Sequence, residues 1–541
     1  MENKNILFAF VLMFLVWTGV NYLFPSSPST PLIPHQATEE TAPVDDPAQR
    51  FSVVDPEERS DLGAEETMAS VAEVRNITVK TGRFEAIFTS VGGRLQSLKL
   101  PEFRQSTASD ALPVALVDVA YPLQATLSTE GLGDFDLSSE AVYAVSTDQD
   151  LIELSAGDEQ ELIFTTRTLG GLKVEKIYRF RGDAFDFDLR VRVTNLGGVV
   201  LRGSTSLGLV HPWDPAVVEE SEAIVHLSIF DGDKVQSYDF EDLQKNTPSY
   251  GSEAFWTAFQ RKYFMAAAVA LEDAGDRFHV RKSGDLVESR IDGPFSILSP
   301  DQTLEKGYLL FFGPRDPDIL EQAGHELVRA IDFGFFGIIA RPLLSVLKFF
   351  QGYVGNWGVA IILLTCIIKI LFWPLTQKSY KSMKAMQSLQ PQMQKLREKY
   401  KNNKEQLNKE IMELYRSNRV NPMGGCLPML VQIPVFFALY KVLLGTIALR
   451  HAPFVFWIQD LSVKDPYYIT PLIMGATMFV QQRMTPSTMD PVQAKMFMFM
   501  PIIFTFMFLN FPAGLVLYWM VNNLLTILQQ WLVNRPSPVE T

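Results

Sequence analysis

Several polar residues stand where the surrounding chain is hydrocarbon. In AIILLTCIIKILFWPL (360–375), Lys369 sits near the middle of an apolar run, and Thr365 lies one turn earlier on the same helical face. Gln432, Asn522 and Asn523 interrupt two later apolar runs. At the centre of a membrane span a lysine costs roughly 2.5–3.5 kcal/mol on insertion scales. No Asp or Glu occurs in any of the apolar runs, so no counter-ion within them offsets that cost. Three states meet it: a stem that carries the ammonium to the headgroups, a neutral lysine, or a water-filled pocket among the helices. Lys369 lies nine residues before Lys378, about 13 Å along a helix axis. A lysine stem covers about half of that. The hydrated pocket is the state that also accounts for Thr365, Gln432, Asn522 and Asn523. Lys441 stands near the end of its run and snorkels.

Other chemistries find no residues. All six histidines lie outside the apolar runs, which leaves no relay of the kind a proton-coupled transporter uses. HExxH, CxxC and GxxxxGK[ST] are absent, and the two cysteines, Cys366 and Cys426, cannot staple the long acidic region. No metal, cofactor or nucleotide is expected, and no repeated pore-lining motif is found. A positively charged pocket that holds the polar part of something for a time remains, and an acidic peptide tail suits it.

The elements that would position this pocket follow from charge and hydropathy. Residues 25–330 hold 51 Asp+Glu against 27 Lys+Arg, a net of −24, whereas 378–419 hold four Glu against eight Lys and three Arg, a net of +7. Such a division implies two compartments, with the basic loop in the cytoplasm. ILFAFVLMFLVWTGVNYLF (6–24) is 19 uncharged residues, about 28 Å as a helix. A cleaved signal peptide is its rival, but NYLFPSSPST offers no A-x-A-like site. Residues 1–24 are therefore an expected anchor, and 25–75, rich in Pro, Ser and acids, an expected tether on the far side of the membrane from the basic loop.

FDFDLRVRV (185–193) alternates strictly, with Phe185, Phe187, Leu189, Val191 and Val193 on one face. With the turns SVGG, TLGG and NLGG it predicts a large all-β sandwich over 76–320. Gly and Pro break the next apolar stretch, 331–350, which reads as an interfacial amphipathic helix. Five apolar runs follow at about 357–377, 427–449, 469–482, 496–511 and 513–533. With the first they make six crossings and put both termini in the cytoplasm. Pro428, Pro434, Pro471, Pro501 and Pro512 are expected to interrupt these helices. The run 469–482 is short for a bilayer, which predicts local thinning or a tilted neighbour.

Within 378–420 the apolar positions Met383, Met386, Leu389, Met393, Leu396 and Tyr400, then Leu407, Ile411 and Leu414, recur at helical spacing. They predict a helical hairpin whose basic faces carry Lys381, Lys384, Lys395 and Arg397. Of 19 methionines, 15 lie from residue 383 onward. Such adaptable side chains suit membrane packing and varied apolar partners alike.

NPMGGCLPMLVQIPVFFALY (421–440), with NWGVAIILLT (356–365), DPYYITPLIMGATMF (465–479) and FPAGLVLYWMVNNLLTILQQ (511–530), resembles the YidC-type membrane protein insertases of Gram-negative bacteria. The resemblance implies a multi-domain inner-membrane protein of six transmembrane α-helices: an anchor and a five-helix insertase core over 351–534, carrying a large periplasmic sandwich. It implies a hydrophilic groove open to cytoplasm and lipid, with Lys369 as its cation, Thr365, Gln432 and Asn522 lining it, and Tyr518 and Trp519 on the client path. Many members carry Arg where Lys369 stands, and a lysine lacks the bidentate fork. Implied partners are nascent membrane proteins, the Sec translocon, ribosomes and the lipid bilayer, without specific nucleic-acid reading. The segment 535–541, a short cytoplasmic tail, lacks a basic extension, so the basic hairpin is the better ribosome contact. The different reading is an envelope protein whose β-sandwich, similar to those of aldose mutarotases, binds carbohydrate or peptide. Its histidines form no catalytic constellation.

Overall fold

The computed structural model describes residues 73–212, 225–271, 275–401, 403–420, 427–485 and 498–534. The expected anchor, the tether up to residue 72, the NPMGGC stretch and the tail lie outside the described residues.

The strand Asp186–Asn195 shows the alternation read from the sequence, with Phe187, Leu189, Val191 and Val193 all buried. It is central, pairing antiparallel with Leu172–Arg181 on one side and Thr303–Pro314 on the other. Its outward face is polar, and Arg192 reaches Glu305 at 2.8 Å. These three strands belong to a nine-stranded sheet running from Val235–Tyr238 to Ala144–Val145. A five-stranded sheet with Pro113–Asp118 at one edge covers part of it, and a six-stranded sheet is built around Leu201–Pro212. One apolar core joins all three sheets, so the region is sandwich-like. Phe88 of the five-stranded sheet meets Tyr178 of the nine-stranded one at 4.8 Å between ring centroids. The SVGG turn seals that core. Gly92 and Gly93 have φ of +70° and +56°, and a Cβ on Gly93 would lie 3.1 Å from Phe164.

Among the described residues two short α-helices accompany the sheets, α1 (Phe240–Lys245) and α2 (Pro317–Ala323). The helical region begins with α3 (Gly337–Val354) and α4 (Trp357–Ser388). Helix α3 buries Ala340, Leu344 and Leu347 at helical spacing and exposes Ile338, Phe349 and Tyr353. It starts and ends a few residues later than the 331–350 read from the sequence. By length and composition, Gly334–Val354 and α4 are each apolar enough to cross a bilayer.

Helix α4 is capped by Asn356, whose side chain accepts from the Val359 amide at 3.0 Å. It runs eleven residues beyond the expected boundary at 377, through Pro374, to Ser388. Pro391, early in α5 (Gln390–Lys399), marks the break between the two. Helix α6 (Lys404–Ser417) packs back on this assembly, and their shared core is Met386, Leu389, Met393 and Tyr415. The hairpin thus uses the end of α4 as well as α5, and Tyr415, unread in the sequence, donates to Met393 Sδ at 3.1 Å.

Among the described residues the remaining helices are α7 (Leu427–Gly445), α8 (Ile469–Met484), α9 (Met500–Phe508) and α10 (Ala513–Asn534). The prolines correct one expectation. Pro471 and Pro501 sit in the first turns of α8 and α9, and Pro512 immediately precedes α10. A first-turn proline forfeits no helical hydrogen bond, so these residues begin helices rather than interrupt them. Pro434 lies inside its helix. Asp465 organises the loop ahead of α8: it accepts from the Thr470 amide and hydroxyl, both at 2.7 Å, and from Trp457 Nε1 at 3.1 Å. Burial alone would raise this carboxyl; the hydrogen bonds from Thr470, Tyr467 and Trp457 outweigh it and hold Asp465 below the ordinary range.

Candidate functional site

Helices α4, α7 and α10 meet around a file of polar side chains. Its centre is Lys369 on α4, whose Nζ donates to Thr526 Oγ1 on α10 at 2.7 Å. Thr526 in turn donates to the Asn522 carbonyl one turn back, at 2.6 Å. The Asn522 side chain accepts from Gln432 Nε2 of α7 at 2.9 Å. Lys369, Thr526, Asn522 and Gln432 therefore form one connected chain across three helices. Gln529 continues the file one turn further, with Nε2 3.4 Å from the Trp373 carbonyl. Among the described residues no carboxylate pairs with Lys369.

The other residues named from the sequence occupy distinct places. Thr365 is buried, and its hydroxyl donates to the Ile361 carbonyl at 2.6 Å, so its proton is used within its own helix. Tyr518 is fully buried, on the face of α10 that carries Asn522 one turn later. Its ring meets that of the adjacent Trp519 edge-on at 6.5 Å, although consecutive helical residues leave the axis about 100° apart. Trp519 also packs edge-on against Phe436 of α7 at 4.9 Å and near Phe508 of α9 at 5.6 Å. Lys381 and Lys384 at the end of α4, and Lys395 on α5, are exposed, with Arg397 half-exposed; all four stand on the hairpin, apart from the file.

A second polar contact line runs along α10 on the side facing α8. Asn523 lies 3.5 Å from Thr477 Oγ1, and Gln530 donates to Thr485 Oγ1 at 2.9 Å and to Tyr380 at 3.2 Å. Thr526, Gln529 and Gln530 were not singled out from the sequence. Continuing the helical period from Asn522 and Asn523 marks them. Buried Trp519 Nε1 and Gln529 Oε1 find no hydrogen-bond partner among the described residues.

The β-region has its own polar site, a cavity of about 160 Å³ lined by Arg94, Ser128, Glu130, Arg281 and Glu288 among others. Its charges are largely paired with each other. Arg281 reaches Glu130 at 2.9 Å and Glu288 at 2.6 Å, and Ser128 donates to Glu288 at 2.5 Å. Burial lowers the Arg94 guanidinium, partly against Glu288 and Glu130. No cluster of three or more His, Cys, Asp or Glu suited to a metal occurs among the described residues.

Two families match in sequence. The one described as the YidC periplasmic domain covers residues 76–346, and the one described as 60Kd inner membrane protein covers 349–540. A membrane protein insertase YidC of Geobacter metallireducens is 44% identical over 536 residues, covering 98% of each chain. That of Geotalea daltonii is 41% identical over 545 residues, covering 99% of this chain and 100% of its own. The chain belongs to the YidC family of membrane protein insertases. The YidC family pairs a periplasmic domain with a helical inner-membrane region, which are the sheet and helix regions described above. Among solved structures, an active YidC insertase with its first transmembrane domain resolved is 17% identical, covers 86% of this chain and 96% of its own, and has a TM-score of 0.36. A galactose mutarotase-like protein of Lactobacillus casei is 10% identical, covers 44% of this chain and 99% of its own, and has a TM-score of 0.32.

Proposed function

We propose that this chain receives nascent membrane proteins at the polar file around Lys369 and releases their helices sideways into the inner membrane, alone or with the Sec translocon. In this reading the file lines a hydrated groove open to cytoplasm and lipid. The client's polar tail rests there while its apolar segment passes Trp519 into the bilayer. Both termini and the basic hairpin are cytoplasmic, the sheet region is periplasmic, and the helices complete six crossings with the anchor. Lys381, Lys384, Lys395 and Arg397 give the ribosome an electropositive docking face.

The observation that carries the reading is the connected chain Lys369–Thr526–Asn522–Gln432 inside an otherwise apolar helical region. A half-buried cation and amides in such a place mark a path for polar cargo. No nucleotide is needed. Burying about 20 apolar residues of the client supplies the driving force, and the polar file lowers the barrier for the tail. The alternative, a sandwich that binds carbohydrate or peptide, would use the Arg94 cavity. The mutual pairing of most of its charged groups makes that the weaker site.

Photo-crosslinkers placed at Trp519 and Gln432 test the proposal with ribosome-stalled membrane proteins of increasing length. Crosslinks are expected to begin only when the client's apolar segment has left the ribosome. Their absence at every length, with the protein folded in the membrane, would overturn it.

A further inference from the structure

We propose that Thr526 is a positioning residue, whose hydroxyl oxygen holds the Lys369 ammonium on the inner wall of the file and so sets a preference for clients with carboxylate-bearing tails. The inference rests on the insertase reading and deepens it.

Hydrogen-bond direction carries the argument. A threonine hydroxyl has one proton, and that of Thr526 goes to the Asn522 carbonyl at 2.6 Å. Only its lone pairs are left to face Lys369 Nζ at 2.7 Å, so Thr526 acts there as acceptor. Threonine is stiff at χ1, and the bond back to the preceding turn fixes its rotamer. Thr526 is 5% exposed, and Asn522 is anchored from α7 by Gln432 at 2.9 Å. The acceptor is therefore part of the wall, whereas the lysine stem is flexible. Without it the ammonium is free to travel toward either aqueous end.

The chemical type of this acceptor matters as much as its place. An Asp or Glu at position 526 would cancel the lysine charge. A neutral hydroxyl holds the ammonium through one of its three N–H groups and leaves its charge in place. A client carboxylate makes a stronger, charge-assisted bond than a hydroxyl, so exchange from Thr526 to an incoming acidic tail is favourable. An uncharged tail offers no such gain. Thr526 thus parks the cation in a state that a carboxylate can displace.

The test uses the full chain in proteoliposomes and two single-span clients. One carries an acidic tail, and in the other every tail Asp and Glu is Asn or Gln. Thr526→Val keeps the side-chain shape and removes the acceptor; Thr526→Ser keeps the hydroxyl. The wild type is expected to favour the acidic client. Thr526→Val should lower insertion of the acidic client by about tenfold, the effect of an unheld ammonium that stands at the file only about a tenth of the time, and lower that of the uncharged client much less. Thr526→Ser should restore the preference. In a Lys369→Gln background Thr526→Val should have no further effect, because the pair acts as a unit. Unaltered preference in Thr526→Val overturns the proposal. So does an equal loss for both clients that serine does not rescue, which would make Thr526 a packing residue only. Failure of the wild type to insert either client overturns the insertase reading itself and takes this proposal with it.

Discussion

Two lysines in this chain are held by neutral oxygens, and they make opposite use of that arrangement. Lys176 is fully buried in the sandwich, where Nζ donates to the carbonyls of Leu127 at 2.7 Å and Gly92 at 3.1 Å. Burial, reinforced by repulsion from Arg94, holds its pKa well below the ordinary lysine value. The unfolded chain retains an ordinary lysine, so between the two values the unfolded state binds the extra proton. Native stability then rises with pH across that window. Lys176→Met removes the titration. Its stability relative to wild type should fall by up to about 1.4 kcal/mol per pH unit as pH rises, until the free lysine value near 10.4 is passed. Urea midpoints of the β-sheet signal at pH 7 to 10 read this directly, and parallel pH curves would show that burial does not neutralise Lys176. Lys369 was legible because a charge in a hydrocarbon run is visible by type alone. Thr526 was not, since threonine is unexceptional in a membrane helix until the register of α10 places it against α4. The depth of Tyr518 is likewise set by the rotation of α10 among its neighbours, which no local pattern encodes.

Small residues at particular crossings decide how the elements approach. A Cβ built on Gly475 of α8 would lie 2.0 Å from Thr505 Oγ1 of α9, so these helices touch only because that position is glycine. Gly475→Ala should force them apart and destabilise the helical region by about 1–3 kcal/mol, the usual cost of overpacking. Thr505→Ala in the same protein removes the atom that is struck and should recover most of the loss. Thermal midpoints in detergent measure both, and an unaffected single variant would mean that the two helices do not pack at this point. Nothing in PLIMGATMF by itself marks that glycine as a crossing point; its partner is thirty residues away. The opposite holds for the strands. FDFDLRVRV could be read outright, because a period of two needs no knowledge of neighbours. Helix existence was legible from apolar runs, whereas the ends were not: α4 passes through Lys378 because no Gly or Pro stands between there and Ser388 to stop it.

At the scale of the whole molecule, the sheet region and the helices are tied at points far apart in sequence. Arg450, in the loop after α7, donates to the carbonyls of Arg104 at 2.7 Å and Gln105 at 3.2 Å. Lys348 of α3 reaches Asp318 at 2.7 Å and Asp316 at 3.3 Å, at the start of α2. Arg315 Nη2 donates to the Ala330 carbonyl at 2.6 Å, fixing the chain that leaves the sheets for α3. The Arg450 contact is exposed and the Lys348 pair partly so, and each such interaction contributes about 1 kcal/mol or less. Together they act as two stays on a domain whose covalent link enters at a third place, so their effect is on orientation more than on stability. Spin labels at exposed Leu169 and Val463 report the separation of the two regions. Arg450→Ala and Lys348→Ala should each broaden that distance distribution, and the double variant should broaden it most, while the unfolding midpoint changes little. Salt should broaden the wild type partly, through the Lys348 pair alone, because a guanidinium bonded to carbonyls is less sensitive to screening than an exposed ion pair. Because no group of the polar file is altered, client insertion by the double variant should stay near the wild-type rate. A large loss of insertion with an unbroadened distribution would instead place these two side chains in the path of the client.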